Sequence, residues 1–251
     1  MRLIHILVLV TSFFASAQID HWESVVLPGD QWDYLVPSSQ PSSSWNQLGY
    51  NSSSWSTGNS GFGYGDGDDA TIVSNTISIY IRKTFSITNL SDIEAIILDL
   101  DYDDGFVAYL NGQEVARNLI SGAVPNFNQT SDGYHEALLP QGYAPERFGI
   151  DVNLLNAGTN VLAVQVHNQS FDSSDLSALP VFSVGINNTS SNYETPPSWF
   201  EVPYIPAEVN FESSNLPIVV IDTFEGQEIP NDPKIDATMK IIFRENQQRN
   251  F

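Results

Sequence analysis

The amino-acid sequence predicts an all-β protein, an antiparallel β-sandwich followed by a short piece of a second domain. Apolar residues alternate with polar residues over several stretches, which is typical of half-buried strands. Turn dipeptides such as Asp104-Gly105 and Asn111-Gly112 separate these stretches and tolerate the positive φ of tight hairpin turns. A helical period of 3.6 never persists for three turns, which argues against a helix-rich fold.

The first 17 residues have the pattern of a secretory signal peptide. Arg2 supplies a short positive start, residues 3–14 are mostly apolar, and residues 15–17 (Ala-Ser-Ala) form a small-x-small cleavage site. The apolar run is too short to span a bilayer. A buried first strand is the alternative, but no turn signal closes the run before the cleavage site. We therefore expect a secreted or cell-surface protein without a membrane span in its mature chain.

The composition restricts the classes of partner. The formal net charge is -21 at pH 7, so the chain should repel nucleic acid and anionic lipid. Such a charge is compatible with cation binding or simply with a solvated acidic surface. The sequence contains no cysteine, which excludes disulfides, thiolate metal sites and cysteine nucleophiles.

The predicted elements follow one another along the chain. Residues 18–60 are rich in Ser, Asn, Trp and Pro, which predicts short strands and long loops. The glycines of residues 61–69 indicate a backbone that bends sharply or approaches another group closely. Residues 118–147 have no sustained period, and residues 151–155 allow one helical turn. The clearest strands, in which apolar residues lie two apart, are 77–87, 96–102, the hairpin 106–117, 160–168 and 180–186.

Several blocks of the sequence occur in the order found in one known kind of module. They are Phe62–Asp66, Ile79–Phe85, Asp103–Gly105, Tyr109–Gly112, Glu114–Arg117, Gly158–His167 and Ser173–Leu176. Together they resemble the galactose-binding-like jelly-roll domains attached to many secreted bacterial enzymes and surface proteins. The resemblance implies a jelly-roll sandwich over residues 18–186 and a binding or accessory role.

The sequence changes character after this region. Residues 187–212 are polar and then proline-rich, which predicts an interdomain linker. Residues 216–222 form a near-continuous apolar run that suits a strand buried on both faces, and residues 239–243 predict a second strand. Because so short a piece cannot form a core alone, we expect residues 213–251 to begin a second domain that is cut off.

The C-terminal segment carries a second resemblance. Ser214–Thr223, Asp232–Ala237, Met239, Ile241 and Ile242 are similar to the opening of the CotH family of atypical kinase-like proteins. The resemblance implies a CotH-like domain as the neighbour of the sandwich. The nucleotide- and metal-binding residues of that family lie further on, so no catalytic residue is carried over to this sequence.

Two groups of acidic residues are candidates for a structural calcium site. Calcium takes roughly six to eight oxygen ligands from carboxylates and carbonyls, which acidic loops can supply. The alternative is that these aspartates cap turns or face solvent. The first group lies in the glycine-rich loop and the alternative group at a strand end: Asp66, Asp68 and Asp69, or Asp101, Asp103 and Asp104.

Three aromatic residues in Ser-, Asn- and Gly-rich segments are candidates for glycan binding, namely Trp45, Trp55 and Tyr64. Flat rings can stack on the apolar faces of pyranose sugars. The alternative is that these rings close the ends of the sandwich as part of its core.

The sequence predicts a non-catalytic module and leaves its ligand open. The residues after His135 lack the second histidine of a zinc-protease helix, and no P-loop is present. The leading hypothesis is a carbohydrate-binding or accessory module of a secreted multidomain protein. The alternatives are kinase-like phosphoryl transfer by the whole protein, with an active site beyond residue 251, and a structural spacer on the cell exterior.

Overall fold

A computed structural model describes residues 19–65, 67, 69–203, 218–222 and 238–242. Within these residues the chain forms fourteen β-strands and three single-turn 3₁₀ segments, without an α-helix. No described helix is long and apolar enough to cross a bilayer. The 3₁₀ segments are Leu90–Asp92, Leu139–Gln141 and Val152–Leu154. The strands are β1 His21–Val26, β2 Gln31–Leu35, β3 Ser56–Asn59, β4 Phe62–Tyr64, β5 Thr71–Ile72, β6 Ser78–Ile87, β7 Ile93–Asp103, β8 Gly105–Leu110, β9 Gln113–Asn118, β10 Glu146–Ile150, β11 Gly158–His167, β12 Leu176–Ile186, β13 Ile218–Asp222 and β14 Thr238–Ile242.

Twelve of these strands form two sheets that pack as a sandwich. The first sheet has the order β10-β7-β12-β4-β5, and β1 pairs with the C-terminal half of β12 beside β4. The second sheet has the order β3-β2-β6-β11-β8-β9. All pairs are antiparallel except the short β4–β5 pair. The predicted all-β, antiparallel sandwich of jelly-roll type is therefore confirmed.

The core lies between the two sheets because each strand alternates its side chains across the sheet. On β6, Ile79 and Ile81 point into the core, whereas Tyr80 and Arg82 point to the outer face of the second sheet. Phe182 on β12 is fully buried and packs 5.4 Å from the ring of Phe85. Truncating such a ring to alanine typically destabilises a domain by about 3–5 kcal/mol.

A second apolar cluster covers the outer face of the second sheet, where Trp45 and Trp55 pack over Tyr80 and Tyr109. The side chain of Arg82 holds the loop of residues 45–52 against this face of the sheet. Its guanidinium donates to the carbonyl oxygens of Trp45 and Gln47 at 3.1 Å each, and to the Ser52 hydroxyl at 2.7 Å. The loop that the sequence shows as polar and irregular is therefore packed against the sheet.

The region after β12 returns to the first sheet, although its composition predicts a linker. We call residues 187–202 the strap. The buried carboxylate of Glu23 accepts hydrogen bonds from Ser191 and from the backbone of Asn192 and Tyr193. Ser24 and Glu194 form an antiparallel bridge. These contacts join residues far apart in sequence, so the local composition gives no sign of them.

The chain divides into two compact units, residues 1–202 and 203–251. In the second unit, β13 and β14 pair in antiparallel register from Ile218↔Ile242 to Asp222↔Thr238. The predicted start of a second domain falls in this unit, and most of its residues lie outside the described part of the chain.

Candidate functional site

Three carboxylates from distant parts of the chain converge at one end of the first sheet. The acidic rim, as we call it, consists of Asp103 at the end of β7, Glu136 in the β9–β10 connection and Asp175 before β12. One carboxylate oxygen from each residue lies within 4.8 Å of the others. Asp103 is buried, Asp175 is half-buried and Glu136 is exposed. The group is thus open to solvent on one side.

Two neighbouring aspartates hold the backbone that carries Glu136. Asp101 accepts hydrogen bonds from the amides of Leu138 at 2.6 Å and Leu139 at 3.1 Å. Asp104 accepts from the amides of His135 at 3.0 Å and Gln169 at 2.7 Å. In the predicted group Asp101, Asp103 and Asp104, only Asp103 therefore belongs to the acidic rim.

The glycine-rich loop after β4 packs directly against Asp175. Gly65 has φ +107, and a Cβ at this position would lie 2.2 Å from the carbonyl oxygen of Ser174. Only glycine permits both this conformation and this approach. The close backbone approach that the sequence predicts for residues 61–69 is thus found at Gly65.

Asp69 lies on the same face of the first sheet as the acidic rim. Its Oδ1 is 2.5 Å from where a Cβ on Gly63 would stand. Gly63 pairs with Ser177, and Ser177 pairs with Asp103, so the three residues form one row across neighbouring strands. The two acidic groups that the sequence offered as alternatives thus approach a single surface through Asp69 and Asp103.

Asp66 and Asp68, the other two members of the first predicted group, lie outside the described residues. Their part in a metal site stays a prediction.

A pocket of about 190 Å³ opens beside the acidic rim and is also lined by Ala137, Pro140 and Gln141. Three exposed aromatic residues lie on the loops that form it. Tyr134 precedes Glu136 by two residues, Tyr143 follows Gln141 by two, and Phe171 precedes Asp175 by four. The exposed fractions of these aromatic residues range from 61% to 78%. We call Tyr134, Tyr143 and Phe171 the rim aromatics.

Sequence reasoning missed the rim aromatics because they lie in segments without any period. The one available signal was a large aromatic residue inside a turn-rich stretch, and that signal also marked Trp45, Trp55 and Tyr64.

The three aromatic residues that the sequence singled out for glycan binding are buried, with exposed fractions between 5% and 9%. Trp45 and Trp55 stack at 6.3 Å in the outer cluster. Tyr64 belongs to the main core, and its hydroxyl accepts a hydrogen bond of 2.8 Å from Asn168. Burial raises the pKa of Tyr64. This placement favours the core role that the sequence left open for these rings.

The four basic side chains of the described sandwich are all engaged by carboxylates. Each has a nitrogen within 4.0 Å of an acidic oxygen, and the longest of these distances, 3.8 Å, belongs to Arg82. None of the four pairs includes a residue of the acidic rim. The pairs are Arg82–Asp33, Lys83–Asp30, Arg117–Glu114 and Arg147–Asp99.

Comparison with known proteins gives matches only among solved structures. No family model matches the chain, and no curated protein matches it. A β-glucuronidase from an uncultured Clostridium species is similar over 87% of this chain and 39% of its own, with a TM-score of 0.44 and 16% identity. A glycoside hydrolase family 2 β-glucuronidase is similar over 91% of this chain and 26% of its own, with a TM-score of 0.43 and 14% identity.

A Bacteroides uniformis β-glucuronidase is similar over 65% of this chain and 18% of its own, with a TM-score of 0.43 and 14% identity. The chain therefore spans less than two fifths of the length of these enzymes. At this identity and score the likeness does not identify a function.

Proposed function

We propose that the sandwich is a non-catalytic carbohydrate-binding module whose ligand contacts the rim aromatics and the acidic rim. The observation that carries this proposal is the presence of three exposed aromatic residues on the loops that also supply the lining of one pocket. Exposed aromatic rings offer flat apolar faces that suit pyranose sugars. We therefore propose that the glycan contacts the rim aromatics and not Trp45, Trp55 and Tyr64, which are buried.

The polar side chains that line the pocket can form hydrogen bonds with the hydroxyl groups of a sugar, in addition to the apolar contacts of the aromatic rings. The carboxylates of Glu136 and Asp175 accept hydrogen bonds from sugar hydroxyls, and the side-chain amide of Gln141 both donates and accepts. Because the four basic side chains of the described sandwich are paired elsewhere, the site has no free cation among them for an acidic sugar. A neutral glycan is the ligand class that fits.

The test is a glycan array probed with the full chain and with single alanine variants of the rim aromatics. We expect the wild type to bind a set of neutral glycans, and Tyr134→Ala, Tyr143→Ala or Phe171→Ala to weaken binding by at least tenfold. Ile72→Ala is the matched control, since Ile72 is equally exposed but lies on β5. Uniform absence of binding by the wild type would refute the proposal, as would unchanged binding by all three variants.

A metal ion is a second candidate ligand of the same surface, favoured by the short distances within the acidic rim. The three carboxylates lie close enough together for a single cation to contact one oxygen of each. Their oxygens, with backbone carbonyls and water, match the preference of calcium. We propose structural calcium here, held by Asp103, Glu136 and Asp175.

Thermal unfolding in excess calcium and in excess chelator tests the calcium proposal. We expect a higher Tm with calcium, and loss of that difference in Asp103→Asn and Glu136→Gln. Asp20→Asn, an exposed carboxylate on the segment before β1, should keep the difference. Identical unfolding curves with calcium and with chelator would exclude the site.

We further propose that the sandwich is one part of a secreted multidomain protein with a CotH-like neighbour. The support is the sequence pattern of residues 1–17 and the similarity of residues 214–242 to CotH proteins. Kinase-like activity of the whole protein is the alternative that this similarity implies, and a structural spacer is the remaining one. Residues 1–18 lie outside the described part of the chain. Fractionation of expressing cells tests export, which a cytoplasmic, uncleaved product would contradict.

A further inference from the structure

The segment that carries Tyr134 and Glu136 alternates between solvent and protein. Tyr134 and Glu136 are exposed, His135 between them is part-buried, and Ala137 is buried. We propose that His135 is the positioning residue of the acidic rim, because its ring anchors the backbone that presents Tyr134 and Glu136. This inference deepens the proposed function and rests on it for its effect on glycan binding.

His135 is held on its face and on both of its polar edges. Its ring stacks on Tyr102 with the centroids 4.0 Å apart and an angle of 8° between the planes. Its Nδ1 donates to the carbonyl oxygen of Tyr102 at 3.0 Å, since that partner can only accept. Its Nε2 lies 3.1 Å from Oε1 of Glu146, and its backbone amide donates to Asp104.

The residues that hold His135 are themselves fixed by three strands. Tyr102 on β7 is fully buried, and its hydroxyl donates to Oε2 of Glu146 on β10 at 2.7 Å. The same hydroxyl accepts a hydrogen bond of 2.6 Å from Asn118 at the end of β9. The anchor of His135 is thus part of the sheet framework.

An imidazole offers a flat face to Tyr102 and a ring nitrogen opposite both the Tyr102 carbonyl and Oε1 of Glu146. A phenyl ring would keep the stacking on Tyr102 but would place no nitrogen opposite the Tyr102 carbonyl or Oε1 of Glu146. An aliphatic amide would keep hydrogen bonds but lose the flat contact. His135 therefore fixes the separation of Tyr134 and Glu136 before a ligand arrives, which reduces the ordering cost of binding.

The test uses His135→Phe with two independent measurements on the full chain, hydrogen exchange at the Leu138 and Leu139 amides and affinity for the best glycan of the array. We expect exchange at these amides to accelerate at least tenfold and the affinity to fall at least tenfold. Asn111→Ala is the control for general destabilisation, since Asn111 donates to the Leu154 carbonyl at 2.9 Å on the β8–β9 turn. It should lower the Tm and change neither measurement.

Variants of Glu146 give a rescue test that also covers the case in which His135→Phe fails to fold. Glu146→Gln keeps a hydrogen-bonding group opposite both His135 and Tyr102, so it should retain protection and affinity, whereas Glu146→Ala should lose both. Unchanged exchange at Leu138 and Leu139 in His135→Phe or in Glu146→Ala would overturn the inference. If the wild type binds no glycan, the proposed function fails, and the exchange measurement still decides the positioning role.

Discussion

The guanidinium of Arg147 forms a two-point ion pair with the buried carboxylate of Asp99, with Nε–Oδ1 at 2.7 Å and Nη2–Oδ2 at 3.1 Å. The same guanidinium lies 4.5 Å from the centre of the Phe200 ring and donates to the carbonyl oxygen of Glu201. One side chain on β10 therefore joins the outer face of the first sheet to the end of the strap.

Replacing Arg147 should destabilise the sandwich more than removal of a surface charge. Arg147→Ala leaves Asp99 buried without its counter-ion, and we expect a loss of about 3 kcal/mol in the free energy of unfolding. Arg147→Lys keeps the charge but not the two-point geometry, so its loss should be intermediate. Urea unfolding measures both. A change below about 0.5 kcal/mol for Arg147→Ala would contradict this role of the pair.

The strap should dissociate on acidification through Glu23. Burial alone would raise the pKa of the Glu23 carboxyl, but hydrogen bonds from Ser191, Asn192 and Tyr193 outweigh this effect and hold the pKa below its usual 4.5. The stabilisation is therefore present above pH 4.5 and is lost as the pH falls through the lowered value. In Glu23→Gln this acid dependence should disappear from urea unfolding curves. A wild type whose strap stays protected from proteolysis at low pH would disagree with this expectation.

The buried His167 should weaken the fold on mild acidification. Burial lowers its pKa from 6.5 to about 4, while a hydrogen bond to the Gln129 carbonyl opposes that shift. Because the unfolded chain binds the proton more readily, stability should fall as the pH drops from 6.5 to about 4, by on the order of 3 kcal/mol. His167→Asn keeps a donor for Gln129 and should flatten this part of the pH profile. An equally steep profile in that variant would assign the acid sensitivity to other groups.

Two glycines of the same loop should differ in their response to a methyl group. Gly65→Ala places a Cβ 2.2 Å from the Ser174 carbonyl, so the segment that carries Asp175 must move. Gly67 also has a positive φ but nothing within 4 Å of its Cβ position, so Gly67→Ala should cost only about 1 kcal/mol of backbone strain. We expect Gly65→Ala to reduce both the Tm and the effect of calcium on it. Equal behaviour of the two variants would show that contact with Ser174 is unimportant.

The strands could be predicted because their period of two is a local property of the sequence. The stretch 77–87 corresponds to β6, 160–168 to β11 and the helical turn at 151–155 to the 3₁₀ segment Val152–Leu154. The last strand begins earlier than predicted, at Leu176, since it extends to pair with β4. Local patterns with a single buried face were thus sufficient for the fold class.

The candidate site could be predicted only in part, because long-range contacts create it. Asp103 was predicted from a strand end, but Glu136 lies on a segment held by contacts distant in sequence, among them those of Asp101 with the amides of Leu138 and Leu139. The β9–β10 connection has no period, so its sequence does not show which side chains face outward. The strap escaped prediction for the same reason, as Glu23 lies about 170 residues before its partners.

The four ion pairs of the basic side chains have a consequence at long range. These ion pairs neutralise the four basic side chains of the described sandwich. The more numerous carboxylates therefore produce a net negative field, which decays over about 8 Å in physiological saline. Sulfated or uronate-rich polymers will be slowed before they touch the surface, whereas uncharged chains approach without a barrier. Ionic strength should therefore change the rate at which charged polymers associate and leave the rate for neutral ones nearly constant.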